Sequence, residues 1–333
     1  MSIEKNISLE SLSIGYGSGS KRKSILSNLN LFIRKGELLA LVGSNGSGKS
    51  TLLRTISGLQ AVLSGEVIIE GKRIDAWSRK EFAKIVAFVS TEWIHISNLK
   101  VRDLIALGRY PHTSWFGNLK TEDHKYVNEA LEMVGMSHKA EDYFNELSDG
   151  ERQRIMIART LAQDTPIIVM DEPTAFLDLP NKYEIAHLLF RLSREKGKTI
   201  LFSIHDLNIA MKEADRIWLI NDRQLIEGAP EDLILNRELI KAFAVNNLEF
   251  DISSGEFFVP RKKGISIALL GSGERFDWTK KALERLEFDV DCNKSGETTV
   301  LVDDLNKQWI ATINNNSVTC NSIYELSLTL KQF

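Results

Sequence analysis

The chain is poor in the features that would tie it to an oxidising compartment, a bilayer interior or nucleic acid. It has two cysteines in 333 residues, Cys292 and Cys320. No Cys-x-x-Cys pair or Cys/His cluster accompanies them, so two free thiols in a reducing compartment are expected. No run approaches the ~20 apolar residues that span a bilayer. Residues 1–10 contain Glu4 and Lys5 and lack a long apolar stretch, which speaks against a secretory signal. Charge of one sign is lacking too: 42 basic residues against 45 acidic give a net charge of −3. That balance offers no bulk attraction to nucleic acid or to an anionic membrane. Any membrane role must therefore come through a partner. Pro- or Gly-rich tracts, internal repeats and low-complexity segments are absent as well.

What remains is an ordinary globular composition, 43% apolar and 26% charged. The length fits one large domain or two smaller ones. Residues 7–14 alternate and 29–33 are strand-like, with a Gly/Ser/Lys loop at 15–23 between them. Residues 38–42 form a short apolar run that meets a Gly-rich loop and then a helix over 49–59. That is the opening of a parallel α/β unit. Apolar Val127, Leu131 and Val134 within 119–144 predict a helical insertion, continued by a helix through 155–163. Apolar strands at 166–171, 199–204 and 217–221 alternate with a helix over 182–196, as in a parallel sheet covered by helices. A closing helical segment occupies 230–243. A boundary falls within 249–263. Beyond it, strands at 265–270, 290–292, 299–302 and 309–313 and helices at 277–286 and 323–330 predict a small α/β domain.

Three clusters carry chemistry. Gly43-Ser44-Asn45-Gly46-Ser47-Gly48-Lys49-Ser50 has the spacing G-x-x-x-x-G-K-[ST], followed by Thr51. Its glycines let the backbone curl so that consecutive N–H groups face an anion, and the helix that follows adds its positive end. Lys49 reaches the β/γ-phosphates and Ser50 ligates Mg²⁺. Ile167-Ile-Val-Met-Asp171-Glu172 ends an apolar strand in two carboxylates. Asp171 can hold Mg²⁺ and Glu172 can polarise a water. Alone, such a pair is a solvated strand end; beside a phosphate loop it reads as catalytic. Leu147-Ser148-Asp149-Gly150-Glu151-Arg152-Gln153 opens a helix. Alone it is an N-cap, but its hydroxyl and N–H groups can also bind phosphate oxygens.

With these residues in place, the chain resembles the nucleotide-binding domains of ABC transporters from residue 1 to about 243. The resemblance implies a P-loop α/β fold of ABC type, with an antiparallel β subdomain, a helical subdomain and the small C-terminal α/β domain. The domains then run 1–248, with the insertion at about 93–160, a linker at 249–263, and 264–333. Residues 147–153 look like the family's L-S-G-G-Q signature, with Asp149 for the first Gly and Glu151 for Gln. The similarity implies a homodimer with two ATP molecules, each held by one subunit's phosphate loop and closed over by Ser148, Gly150 and Glu151 of the other. Tyr16 resembles the aromatic residue that stacks on adenine; otherwise it is a strand-end core aromatic. Ala175-Phe-Leu-Asp178 resembles the loop between the two ATP sites. His205 resembles the switch histidine that contacts the γ-phosphate and positions the catalytic water.

One departure stands out. The family carries a Gln at the end of the strand before the insertion, where it touches Mg²⁺ and the attacking water. Here Val86-Ala-Phe-Val-Ser-Thr91-Glu92 runs through that point, leaving Thr91 or Glu92 as the alternatives. Residues 98–117, with Leu107-Gly-Arg-Tyr-Pro-His112, resemble the import ATPases for ferric siderophores, haem and vitamin B12, where this region borders the groove for the permease's coupling helix. A packing role for Tyr110, Pro111 and Trp115 is the plainer alternative. The implied assembly is peripheral, on the cytoplasmic face of the inner or plasma membrane. It includes membrane-spanning permease subunits, a substrate-binding protein reached indirectly, and no nucleic acid. In the tail, 13 acidic and 10 basic residues from Asn246 onward make no nucleic-acid patch. Gly271-Ser-Gly273 reads as a tight turn or a weak ligand loop. A regulatory or dimer-stabilising role is the hypothesis for this tail. The expected activity is hydrolysis of MgATP by in-line water attack, with Lys49, Glu172 and His205 as the catalytic set. A non-transport ABC ATPase and a nucleotide-sensing regulatory module are the competing readings.

Overall fold

A computed structural model describes residues 4–17, 22–90, 98–113, 118–243, 248–251, 255–262, 264–292 and 297–332. The chain divides into two compact units: Met1–Val245 with Ile252–Glu256, and Asn246–Asp251 with Phe257–Phe333.

The first unit opens with β1 (Lys5–Tyr16) and β2 (Lys23–Arg34), then β3 (Leu38–Gly43) and α1 (Lys49–Ile56). β4 (Ser64–Ile69), β5 (Lys72–Arg73), α2 (Arg79–Phe82) and β6 (Val86–Val89) follow. The insertion contributes α3 (Val101–Ala106), a 3-10 turn at Leu107–His112, α4 (Thr121–Met133) and α5 (Asp149–Ala162). The chain returns to the sheet with β7 (Ile167–Met170), α6 (Leu179–Lys196), β8 (Thr199–Ser203), α7 (Leu207–Glu213), β9 (Arg216–Asn221) and β10 (Gln224–Gly228), and closes with α8 (Pro230–Leu235) and α9 (Glu238–Phe243).

Two sheets result. One is four-stranded and antiparallel, ordered β2-β1-β4-β5. The other is ordered β10-β9-β3-β8-β7-β6, parallel except for the β10 edge. β1 keeps one apolar face through a register shift between Leu9 and Leu12, where Ser11 adopts φ 45°. The extra residue lets Ile7, Leu9, Leu12 and Ile14 all be buried despite the broken period of two. β3 is buried along its whole length, as a central parallel strand must be. Its side chains alternate between two cores. Leu38, Ala40 and Val42 meet the helices of the insertion and α6, whereas Leu39 and Leu41 meet the antiparallel sheet and α1.

The helical insertion expected within 119–144 is one α-helix followed by 3-10 turns. α4 ends at Met133, and Gly135 at φ 70° turns the chain left-handed into two 3-10 turns.

The second unit holds β11 (Glu249–Asp251) and most of β12 (Glu256–Phe258), which pair as a two-stranded sheet. It continues with β13 (Ser266–Leu270), α10 (Glu274–Arg285), β14 (Asp289–Asp291), β15 (Thr298–Asp303), β16 (Gln308–Ile313), β17 (Asn316–Cys320) and α11 (Ile323–Lys331). Its sheet is ordered β14-β13-β15-β16-β17, with β13 parallel to both neighbours and the rest antiparallel. Ile267, Leu269, Leu283, Val300, Trp309, Leu326 and Leu330 form a separate core. Trp309 Nε1 donates to Thr279 Oγ1 at 2.7 Å, which satisfies the one polar group that the ring buries there. Cys292 is exposed and Cys320 buried, both free. Gly271 and Gly273 take φ 129° and 92° in the turn from β13 into α10. A Cβ at Gly271 would lie 3.1 Å from Val302 Cβ, so the turn itself accounts for that glycine.

Candidate functional site

All the sequence-predicted groups from β3, β7 and β8 meet at the C-terminal edge of the parallel strands, where open α/β sheets leave a crevice. β3 delivers Gly43 directly into the loop that starts α1. Gly46 and Gly48 have φ 77° and 106°, conformations that an L side chain adopts only with strain. A Cβ on Gly48 would also stand 2.5 Å from Ile25 Cγ2. These conformations curl the loop backbone, and the Ser47 N–H bonds the Ser44 carbonyl at 3.2 Å across the curl. Ser47 Oγ is buried with no hydrogen-bond partner, a donor left over inside the cradle. Lys49 is 5% exposed, and its Nζ donates to the carbonyls of Gly43 (2.9 Å) and Ser44 (3.2 Å). Burial pushes this ammonium below the usual lysine range, and the Glu172 and Asp171 charges oppose that shift. An anion in the cradle would offer Lys49 a stronger acceptor than these two carbonyls. Ser44, Asn45, Gly46 and Ser50 are exposed around the rim, and Thr51 is buried below it.

β7 carries Asp171 and Glu172 to the same edge, hydrogen-bonded to β6 through Asp171 N–H and Val89 C=O (2.9 Å). Asp171 is 4% exposed, and its Oδ1 accepts from Ser203 Oγ at 2.7 Å. The same Ser203 Oγ accepts from the Glu172 backbone N–H at 2.8 Å. Glu172 holds φ 48°, unusual for a residue with a side chain. Its Oε1 lies 2.5 Å from His205 Nε2, just past the end of β8. Ser203 was not among the residues expected from sequence. Its signal is the one hydroxyl in the apolar stretch Ile200–Ile204, a place where polar atoms need a partner.

Tyr16 is 57% exposed, which excludes the core-aromatic alternative. Its hydroxyl bonds Thr51 Oγ1 at 2.7 Å, fixing the ring beside the start of α1. Ser148 is the N-cap of α5 in a reciprocal capping box. Its backbone N–H and its Oγ each bond Glu151 Oε2 at 2.8 Å, and Ser148 Oγ accepts from Glu151 N–H at 3.4 Å. These bonds from Ser148, the backbone one foremost, hold the Glu151 carboxyl below its usual range. Gly150 stands close to Leu177, where a Cβ would be 3.4 Å from Leu177 Cδ2. Gln153 Nε2 donates to Pro173 C=O at 3.2 Å, joining α5 to the segment after Glu172. Asp178 caps α6, accepting from Asn181 N–H at 3.1 Å, and Phe176 is exposed at φ 63°.

Thr91, Glu92 and Trp115 lie outside the described residues. Within Leu107–His112, Arg109 is buried and pairs with Asp123 at 2.8 Å, donates to Ala162 C=O at 2.8 Å and stacks 4.0 Å from the Tyr126 ring. His112 Nε2 bonds Gln163 C=O at 2.9 Å. Tyr110, by contrast, is 71% exposed and does not pack the insertion. Among the described residues no group of three His, Cys, Asp or Glu side chains could hold a metal ion alone.

A lysine-bearing anion cradle at the end of one parallel strand, facing a carboxylate pair at the end of another, sets the chain among the phosphate-loop nucleoside triphosphatases. Comparison with known proteins narrows this. Residues 26–175 match the ABC transporter family, and residues 263–331 match the iron ABC transporter C-terminal domain. The iron(3+)-hydroxamate import ATP-binding protein FhuC of Bacillus subtilis is 44% identical over 236 residues, spanning 71% of this chain and 86% of that protein. The achromobactin transport ATP-binding protein CbrD of Dickeya dadantii is 39% identical over 253 residues, 76% of this chain and 91% of that protein. Among solved structures, a transporter described as of metal-chelate type, in an inward-facing conformation, aligns with TM-score 0.63 at 28% identity, covering 77% of this chain and 96% of that one. A dimeric ATP-binding cassette in a post-hydrolysis state with ADP and Pi aligns with TM-score 0.60 at 31% identity, covering 67% and 98%. The chain belongs to the ATP-binding cassette proteins of ABC transporters, and it is an ATPase of that type.

Proposed function

We propose that this ATPase powers import of a ferric siderophore, working as a homodimer beneath membrane-spanning permease subunits. The observation that carries the cargo class is the match of residues 263–331 to the iron ABC transporter C-terminal domain, joined to a cassette whose relatives serve ferric hydroxamate and achromobactin. Of the chelates expected from sequence, which also include haem and cobalamin-type molecules, the ferric siderophore is the one these relatives support. A substrate-binding protein outside the membrane would deliver the cargo. No helix among the described residues is long and apolar enough to cross a membrane. Attachment at the cytoplasmic face through the permease follows from that reading.

The mechanism follows from the cradle. The N–H groups of Gly43–Thr51 and the Lys49 ammonium hold the β- and γ-phosphates and draw charge toward the leaving group. Ser50 and Asp171 would hold Mg²⁺. One hydroxyl and one carboxylate suit an ion that keeps phosphate and water ligands, and Mg²⁺ would neutralise developing charge on the phosphate oxygens. Glu172 Oε1 orients the attacking water and accepts its proton, and His205 steadies that carboxylate and the γ-phosphate. Tyr16 stacks on the adenine. Ser148, Gly150 and Glu151 of the partner subunit close the site, which requires the Ser148 hydroxyl to leave Glu151 for a phosphate oxygen.

The test is to purify the tagged chain from detergent-solubilised membranes, identify the permease that accompanies it, and reconstitute both. ATP hydrolysis should rise when a binding protein loaded with ferric siderophore is added. Co-purification with a permease whose binding protein carries a solute other than an iron chelate would overturn the cargo assignment. Purification with no permease would overturn the transport role.

A further inference from the structure

We infer that Ser203 is a positioning residue for ATP hydrolysis, one hydroxyl that sets both the metal-side carboxylate and the water-side carboxylate. This rests on the roles given above to Asp171 and Glu172.

The geometry is specific. β8 runs parallel to β7 with Met170 opposite Phe202, so the next residues, Asp171 and Ser203, adjoin at the strand ends. Ser203 is wholly buried, at 0% exposure. A serine hydroxyl has one proton to give and two lone pairs to share. Here the proton goes to Asp171 Oδ1 at 2.7 Å, and one lone pair takes the Glu172 N–H at 2.8 Å.

Two consequences follow. First, engaging Oδ1 fixes the rotation of the Asp171 carboxylate and leaves Oδ2 as the oxygen to face an ion between Asp171 and Ser50. Without the hydroxyl, a carboxylate that is 4% exposed would lose a donor that water cannot readily replace. Second, Glu172 sits at φ 48°, in the left-handed region that L residues leave readily. The N–H bond to Ser203 helps hold that conformation, and with it the place of Oε1 beside His205. The order of the sequence matters to this reading: the strand that ends in Ser203 is the strand that leads to His205. The residue bonded to the Glu172 N–H and the residue bonded to its side chain are thus set by a single backbone.

The test compares Ser203→Ala and Ser203→Thr with the unaltered full chain. Thermal unfolding confirms that each variant is folded, and Ala, being smaller, fits the space. Affinity for ATP is measured by equilibrium binding, in Mg²⁺ and again in EDTA. Ser203→Ala is expected to lose roughly tenfold to a hundredfold in kcat, the range for losing a hydrogen bond to a charged group. It is also expected to weaken binding of ATP in Mg²⁺ while leaving binding in EDTA unchanged. Ser203→Thr, which keeps the hydroxyl, should recover most of both. A Ser203→Ala protein with unaltered kcat and unaltered Mg²⁺-dependent affinity overturns the proposal. So does a folded Ser203→Thr protein as impaired as Ser203→Ala, because the hydroxyl would then not be the cause. Failure of the underlying roles shows separately: Glu172→Gln would keep normal turnover, whatever the Ser203 variants do.

Discussion

His205 Nε2 lies 2.5 Å from Glu172 Oε1, although the two residues are 33 positions apart and on the ends of neighbouring strands. A carboxylate has only lone pairs to offer, so the imidazole is the donor in this pair. The same oxygen is the one that would receive the proton of the attacking water.

Replacing Glu172 with Gln removes the proton acceptor and keeps the shape. Hydrolysis should fall by roughly a hundredfold to ten-thousandfold, the usual span for a lost general base. ATP should still bind, and the protein should elute as a dimer in ATP and as a monomer without it. Size-exclusion chromatography with bound-nucleotide analysis checks both.

Replacing His205 with Ala frees the Glu172 side chain. Turnover should drop while equilibrium affinity for ATP changes little, because the cradle and Lys49 are untouched. A fall in affinity as large as the fall in kcat would count against a role confined to the γ-phosphate and its water.

Lys49→Ala removes the charge that now rests on the Gly43 and Ser44 carbonyls. ATP affinity should weaken by roughly tenfold to a hundredfold, as expected for a charge-assisted contact. Isothermal titration measures it directly. Gly46→Ala offers a contrast within the same loop: nothing in the nucleotide-free chain lies within 4 Å of the added Cβ, so its effect on thermal stability without ATP reports the cost of φ 77°.

Arg109 and Asp123 form an ion pair in which both side chains are 6% exposed. Removing one partner should cost about 3–5 kcal/mol, because the other charge is left buried. Urea unfolding of Arg109→Met measures this, and Arg109→Met with Asp123→Leu should recover part of the loss. Burial alone would push the Asp123 carboxyl up, but bonds from the Lys120 backbone N–H and from Arg109 hold it below its usual range. A depressed carboxyl stabilises the fold at pH values above its unfolded pKa of about 3.9. The stability difference between the unaltered chain and Arg109→Met should therefore stay level from pH 5 to 8. It should shrink as acid protonates Asp123.

Much of the cassette was legible because its signals are local. A glycine-spaced loop between an apolar strand and a helix can fold in few ways, and Gly43–Thr51 does so. Strands buried on both faces, such as β7 and β8, announce themselves as unbroken apolar runs. β17 was not legible: in Asn316–Cys320 only Cys320 is buried, so the strand has little periodicity to show. β10 sits on a sheet edge and is half-exposed for the same reason. Ser203 was missed because its importance is a matter of register between β7 and β8, and a single sequence does not state register. The Tyr16–Thr51 bond is likewise a product of tertiary folding.

α5 has a different helper at each end. At its start stand Ser148 and Glu151; at its finish the Ala162 and Gln163 carbonyls are held by Arg109 and His112, while the Gln163 side chain reaches Ala83 C=O at 2.6 Å. Fourteen residues make a rod about 21 Å long. A tilt of about 5° about its far end swings its tip by about 1.8 Å on that length. Such a swing exceeds the tolerance of a hydrogen bond. A displacement at Leu107–His112 that tilted α5 would therefore move Ser148 and Gly150 by more than a hydrogen bond tolerates, and under the proposed function it would make or break their hold on the partner subunit's nucleotide.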